Sequence, residues 1–431
     1  MKLMMPHKTW KRYTYTPLTA TLYGDRNKLG IKRGWLLLVC FLYLFIGGLG
    51  GIGFTNMTAG TDQVEAAGPV EQIIKEEAER LQTDPVEQYW TKLMQTYGGY
   101  FPESKTPTFN ELLTGAKDFQ MSTILTGIFR YFFHELVYNG KLLASIVVLS
   151  IFSMLLETLQ SSFEKNNVSK VAYAIVFMVL MIMAVNSFTV AIGYANAAIS
   201  EMIHFMIAIV PLLLTLLASM GNMVSVSVLH PLIVFMIHAV GTGIYLIVFP
   251  LLFFSAVLHI VSSLSDKYKV TQLANLLRMI SVGCLGVFIT VFLGVISVRG
   301  AGSAIVDGVT IRTAKYIAGN FVPVVGKMFS DASETVIGAS LLVKNAVGLV
   351  GLVILLILCA FPALKIMALA LIYNLSAAVM QPLGDSPIIA CLDTIGKSLI
   401  YVFAALAVVG LMFFLAITML IAAGNLSVMM R

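Results

Sequence analysis

WLLLVCFLYLFIGGLGGIGF, Trp35 to Phe54, is an almost uninterrupted apolar run placed directly behind Lys28, Lys32 and Arg33. A basic flank followed by such a run is the pattern of an export signal, and Ala59, Ala66 and Ala67 supply small residues after it. The run is either a cleaved signal or a retained anchor. In both cases the chain behind it starts outside the cytoplasm. Many more apolar runs follow, so the chain is read as exported and then embedded in a membrane.

Hydrophobic residues make up 58% of the chain and charged residues 12%, whereas a soluble domain carries about 25% charged residues. A soluble fold is thereby excluded. The net charge of +6 comes from the head, where Lys2, Lys8, Lys11, Arg12, Arg26, Lys28, Lys32 and Arg33 face only Asp25. Such a basic head is a cytoplasmic retention signal, and the remainder is close to neutral. Nucleic acid is excluded as a partner, because phosphate binding needs Lys and Arg clustered on a folded surface. Cys40, Cys284, Cys359 and Cys391 all lie in apolar surroundings, so the exported segment has no disulfide framework.

Three regions follow: a basic head with its signal or anchor (1–54), an extracytoplasmic acidic helical segment (55–137) and a multi-span membrane domain (138–431). From Asp62 to Asp118 there are eleven acids and five bases. Val70, Ile73, Ile74 and Leu81 recur on one helical face, and Val86, Tyr89, Trp90, Leu93 and Tyr97 repeat at i, i+3, i+4, i+7 and i+11. Asp84 is a cap, Pro85 suits the first helical position, and Glu87 stands three after the cap; Thr108 and Glu111 repeat the device. The apolar faces pack on each other, on the membrane domain or on another exported protein. Phe129, Tyr131, Phe132, Phe133 and Tyr138 read as an interfacial collar entering the bilayer.

About 20 apolar residues cross the hydrocarbon as a helix. Candidate spans are Leu142 to Leu159, Val171 to Gly193, Met202 to Met220, Ile280 to Val298, Leu341 to Phe361, Leu364 to Met380 and Leu399 to Ala423. Pro231 to Ser262, with Pro250 in its middle, is expected to be a broken or paired helix. Two segments there would return Lys267, Lys269 and Arg278 to the cytoplasm, as the positive-inside tendency prefers. The fold class expected is an all-α polytopic bundle of about seven to nine spans.

Gly283, Gly286, Thr290, Gly294 and Ser297 form one small-residue stripe. Small residues let helices approach closely in lipid, so the stripe suits a helix contact within the chain or between copies in a homo-oligomer. Glu201, His204, His238, His259 and Lys365 lie in or beside apolar runs. They either line a polar path or snorkel and hydrogen-bond locally. Arg299 to Lys344 is too polar to span and too apolar for an ordinary loop. It is expected to tuck against or re-enter the bundle, with Arg299, Asp307, Arg312, Lys315 and Asp331 as a candidate polar cluster; a surface connector is the plainer alternative.

The sequence has no G-x-x-x-x-G-K-[ST] loop, no H-E-x-x-H, no G-x-S-x-G and no paired C-x-x-C. The chain is not read as an enzyme, and no cofactor or metal is expected.

DGVTIRTAKYIAGNFVPVVGKMFSDASETV from Asp307, HPLIVFMIHAVGTGIYLIVFPLLFF from His230 and QPLGDSPIIACLDTIGKSL from Gln381 carry a resemblance. With them the chain, from Pro69 to the C-terminus, resembles the stage III sporulation protein AE family. The resemblance implies a polytopic protein of an endospore-forming bacterium, made in the mother cell and placed in the membrane around the engulfed forespore. It implies partners: the other stage III A operon proteins, including a cytoplasmic ATPase and ring-forming exported-domain proteins, and the forespore protein stage II Q. Together these form a secretion-like channel required for forespore development and late gene expression under sigma G. The resemblance assigns no catalytic residue. The head before Trp35 departs from the family's short signal. The implied role is a membrane platform or export-gate component; the alternative is an independent secondary transporter, with Arg299 to Lys344 as its broken-helix site.

Overall fold

The computed structural model describes residues 84–101, 109–113, 121–162, 167–264, 269–321, 325–383 and 386–429. The chain divides into two compact units, Met1–Gln63 and Val64–Arg431, and every described residue belongs to the second. Trp35–Phe54, the stripe from Val70 to Leu81, and Thr108 lie outside the described residues.

Among the described residues every regular element is helical. Helix α1 (Asp84–Tyr97) buries Val86, Trp90 and Leu93 of the predicted stripe. A short α2 (Phe109–Leu113) and α3 (Met121–Tyr138) follow. Helix α3 meets α4 (Gly140–Ser162) at a bend of 41°, where the Asn139 side chain donates to the Glu135 carbonyl at 2.9 Å. The main bundle is α5 (Asn167–Ser219), α6 (Met223–Gly243), α7 (Phe249–Leu264), α8 (Thr271–Phe321), α9 (Val325–Met380) and α10 (Pro387–Met429).

Five stretches are long and apolar enough to cross a bilayer, and six when the bent α3–α4 pair counts as one. The chain is a polytopic all-α membrane bundle, as expected, and among the described residues its long apolar stretches are divided differently from the spans read in the sequence. The difference has a definite origin. Val171 to Gly193 and Met202 to Met220, read as two spans, are one helix, α5. Leu341 to Phe361 and Leu364 to Met380 are likewise one helix, α9, which runs through Pro362. Pro231 to Ser262 does not divide into two segments either. A single π turn at Ile244–Val248 joins α6 to α7, and Met223–Ser263 reads as one span. The ring of Pro250 would break regular i to i−4 bonding. The π turn absorbs the fault, and Ser281 Oγ holds it by donating to the Val248 carbonyl at 3.0 Å.

Helices α9 and α10 form the centre. Of their most apolar windows 78% and 67% is buried, against 22% for α8. Close approach depends on glycine at Gly351, where a side chain would run into Ile209 of α5. The tight turn from α5 to α6 depends on Gly221, whose φ of 83° is the left-handed conformation that side chains disfavour.

The expected tucked segment, Arg299 to Lys344, is helical on both sides of residues 322–324: it is the end of α8 and the start of α9.

Candidate functional site

The surface of α1 divides into an apolar stripe and a face of Asp84, Gln88, Thr91, Lys92 and Gln95 turned to solvent. The stripe seats the helix on α5 and α9. Tyr89 meets Phe205 of α5 edge to face at 5.4 Å, and Lys92 donates to Glu201 of α5 at 2.9 Å. Both partners are well exposed, so this pair sets register more than stability.

At the end of α1 an aromatic lock closes on α9. Tyr97 stacks on Phe361 with centroids 4.1 Å apart. Tyr131 of α3 packs edge-on against Phe361 at 4.6 Å and against Tyr100 at 5.0 Å. Such pairs contribute about 0.5–1.5 kcal/mol each beyond area burial. Burial raises the Tyr97 phenol above its ordinary value, and the Glu135 and Glu201 carboxylates raise it further. Burial and then Glu201 do the same for Tyr89, partly offset by Lys92. Both phenols therefore stay neutral and remain hydrogen-bond donors at physiological pH.

Next to the lock, Lys365 of α9 lies 3.7 Å from Glu135 of α3, and the carboxylate is mostly buried. The ammonium also sits 5.1 Å from the centre of the Tyr194 ring. Two cavities flank Lys365 and Tyr194. One, of about 270 Å³, is walled by His134, Glu135, Asn139 and Val190. The other, of about 230 Å³, is walled by Tyr89, Lys92, Tyr97 and Glu201. The arrangement ties α1 and α3 to α5 and α9 through aromatic contact and two ion pairs, and leaves polar openings between them.

Of the ionisable residues singled out in the sequence, Glu201 and Lys365 enter this site. His204 and His238 are exposed. His259 belongs to a separate knot: Nδ1 lies 2.8 Å from the Ser255 carbonyl, Nε2 3.1 Å from Asn275 Oδ1, and Arg278 packs over Tyr401. The small-residue stripe faces outward. Gly283, Gly286, Thr290, Gly294 and Ser297 are exposed, and no atom lies within 4 Å of a Cβ built at the three glycines. The stripe thus makes no helix contact within the described residues. The side chains of Arg299, Asp307, Arg312, Lys315 and Asp331 lie outside the described residues, although their backbone is helical.

Sequence reasoning missed Glu135 and Lys92. Glu135 stands four residues after Tyr131 in an aromatic run, and that lone acid was the available signal. It also missed Lys344, which is buried and donates to the Ile421 carbonyl at 2.8 Å and to Asn425 Oδ1 at 3.2 Å. Among the described residues no three His, Cys, Asp or Glu side chains gather as a metal site.

The family model for stage III sporulation protein AE matches residues 104–424. The stage III sporulation protein AE of Bacillus subtilis (strain 168) is 51% identical over 398 residues, which cover 92% of this chain and 99% of that relative. No solved structure matches the chain.

Proposed function

The chain belongs to the stage III sporulation protein AE family, and on that premise we propose that it is a membrane platform or export-gate component of a secretion-like channel between mother cell and forespore. Membership carries a role in sporulation, and the apolar helices make it a membrane protein. The finer reading places it in the mother-cell-derived membrane around the forespore. Its partners there are the other stage III A proteins, an ATPase and ring-forming components among them, and stage II Q. The channel so formed supports forespore development and late gene expression under sigma G.

The observation that supports this reading is the seat of α1 on α5 and α9 through Lys92, Glu201, Tyr97 and Phe361. A platform has to fix exported surface to membrane helices, and this contact does so. The sequence carries no phosphate-binding loop, which fits a chain that leaves energy supply to a separate ATPase. In the same proposal Arg299, Asp307, Arg312, Lys315 and Asp331 are a polar cluster serving the channel.

Purification of a tagged copy from sporulating cells during engulfment, with mass spectrometry of what stays bound in mild detergent, tests the reading. Recovery of the operon partners with stage II Q is the expected result. A well-folded protein recovered alone, with solute flux after reconstitution in liposomes, would replace the platform with an independent transporter.

A further inference from the structure

The helices of the bundle are too long for the membrane they cross. The apolar stretches of α5, α9 and α10 have 49, 44 and 39 residues. At 1.5 Å per residue these are about 74, 66 and 59 Å, roughly twice a hydrocarbon core of about 30 Å. We propose that the bilayer holds only one half of the bundle's length, and that the other half stands in water, on the side where α1 lies, as a helical tower.

Side-chain contacts set the levels along the bundle. Ser187 pairs with Tyr373 at 2.8 Å, and Ser255 donates to the Ala274 carbonyl at 2.7 Å. These lie in the lower half. Gly351 abuts Ile209, and Gly424 abuts Lys344; these lie in the upper half. Glu201, Lys365 and Glu135 are at the division.

The surface changes character at that division. Below it α5 turns Val171, Ile175, Met178, Val179 and Ile182 outward. Above it the same helix turns Ser200, His204, Pro211 and Thr215 outward beside a single large apolar residue, Ile207, and α6 exposes Ser227, His230 and His238 along with Met223, Val224 and Phe235. The upper half is no less apolar in composition. Its Met206, Ile209, Leu213 and Leu217 are buried in the bundle, and so need no lipid.

Four further observations agree. Helix α1 lies on the upper half at Phe205 and Glu201 with its polar face outward, and lipid would leave that face without hydrogen-bond partners. Tyr173 and Tyr194 stand 21 residues apart on α5, about 31 Å along its axis. This is the separation of two interfacial aromatic belts. Helix α4 starts at the division and has 23 residues, about 34 Å. A helix of bilayer length thus accompanies the lower half. At the foot, Lys269 is exposed and Arg278 packs over Tyr401, where cations meet anionic headgroups.

The test uses the full chain in right-side-out vesicles, with Cys40, Cys284, Cys359 and Cys391 replaced by Ala. Thr215→Cys and Ser227→Cys are expected to react with a membrane-impermeant maleimide without detergent, whereas Ile182→Cys and Met279→Cys react only after detergent is added. Protection at all four positions would overturn the proposal. As a control for misfolding of the substituted chains, the unsubstituted protein is also placed in nanodiscs and its histidines carbethoxylated. Modification of His204, His230 and His238 supports the tower; their protection until detergent is added refutes it. Neither readout depends on the partners proposed above.

Discussion

Tyr97, the last residue of α1, lies on Phe361 in the middle of α9, with ring planes 21° apart. One ring belongs to the helix seated on the bundle and the other to the most buried helix of the bundle. Displacing α1 would therefore remove a packing partner of Phe361. Phe361 has no exposed surface and also touches Tyr131 and Phe101.

Phe361→Ala should remove about 3–5 kcal/mol of stability, as expected for a buried aromatic that leaves a cavity. Thermal unfolding in detergent measures the loss, and limited proteolysis should show α1 cut earlier than in the parent. An unchanged cleavage rate would mean that α1 is held elsewhere.

The two ion pairs of the site should behave differently. Lys92 and Glu201 are exposed, so Lys92→Ala is expected to change stability by less than about 1 kcal/mol. Glu135 is mostly buried against Lys365, and Glu135→Gln leaves that ammonium unpaired, at a cost of about 1–3 kcal/mol after allowance for its partial exposure. Adding Lys365→Met should recover much of the loss. Equal effects of the two single substitutions would contradict this ordering.

Lys344 carries an amine into the bundle with a carbonyl and an amide as its partners. Desolvating an ammonium is expensive, and apolar replacements of similar volume are commonly neutral or stabilising. Lys344→Met is expected to melt no lower than the parent. Spore yield from the same variant then reports whether the amine serves function, since a fall in yield at unchanged stability cannot come from packing.

A Cβ at Gly286 or Gly294 has open space around it among the described residues, so Gly286→Leu and Gly294→Leu are accommodated. Each change should leave the melting temperature of the isolated protein unchanged or slightly higher, because glycine costs about 1 kcal/mol within a helix. If the stripe receives another helix, the double variant loses co-purifying copies or partners. Full recovery would place the stripe against lipid.

Asp307→Ala and Arg312→Ala, made separately, test the proposed polar cluster. Reduced spore yield with normal membrane insertion is expected for each. Unchanged yield and unchanged assembly for both would remove the cluster from the functional reading.

The helical class, the membrane setting and the apolar face of α1 were legible in the sequence, because each rests on local pattern. Val86, Trp90 and Leu93 follow the helix period and are buried as it requires. The joins were not legible. Residues 194–201 hold Tyr194, Asn196, Ser200 and Glu201, polar enough to suggest a loop between two spans. They are helical because Tyr194 and Glu201 meet Lys365 and Lys92 across the bundle.

By itself the sequence determined that this chain is a helical membrane protein of its family, since apolar content, periodicity and motif strings are properties of the order of residues. Tertiary structure decided which apolar residues meet lipid and which meet one another, that Glu135 and Lys365 form a pair, and that Gly283 and Gly286 face outward. Hydropathy assigns the same value to Leu213, buried against neighbouring helices, as to Leu276, turned to the outside. Only the positions of the other helices distinguish the two, and those are set by contacts between residues distant in the chain.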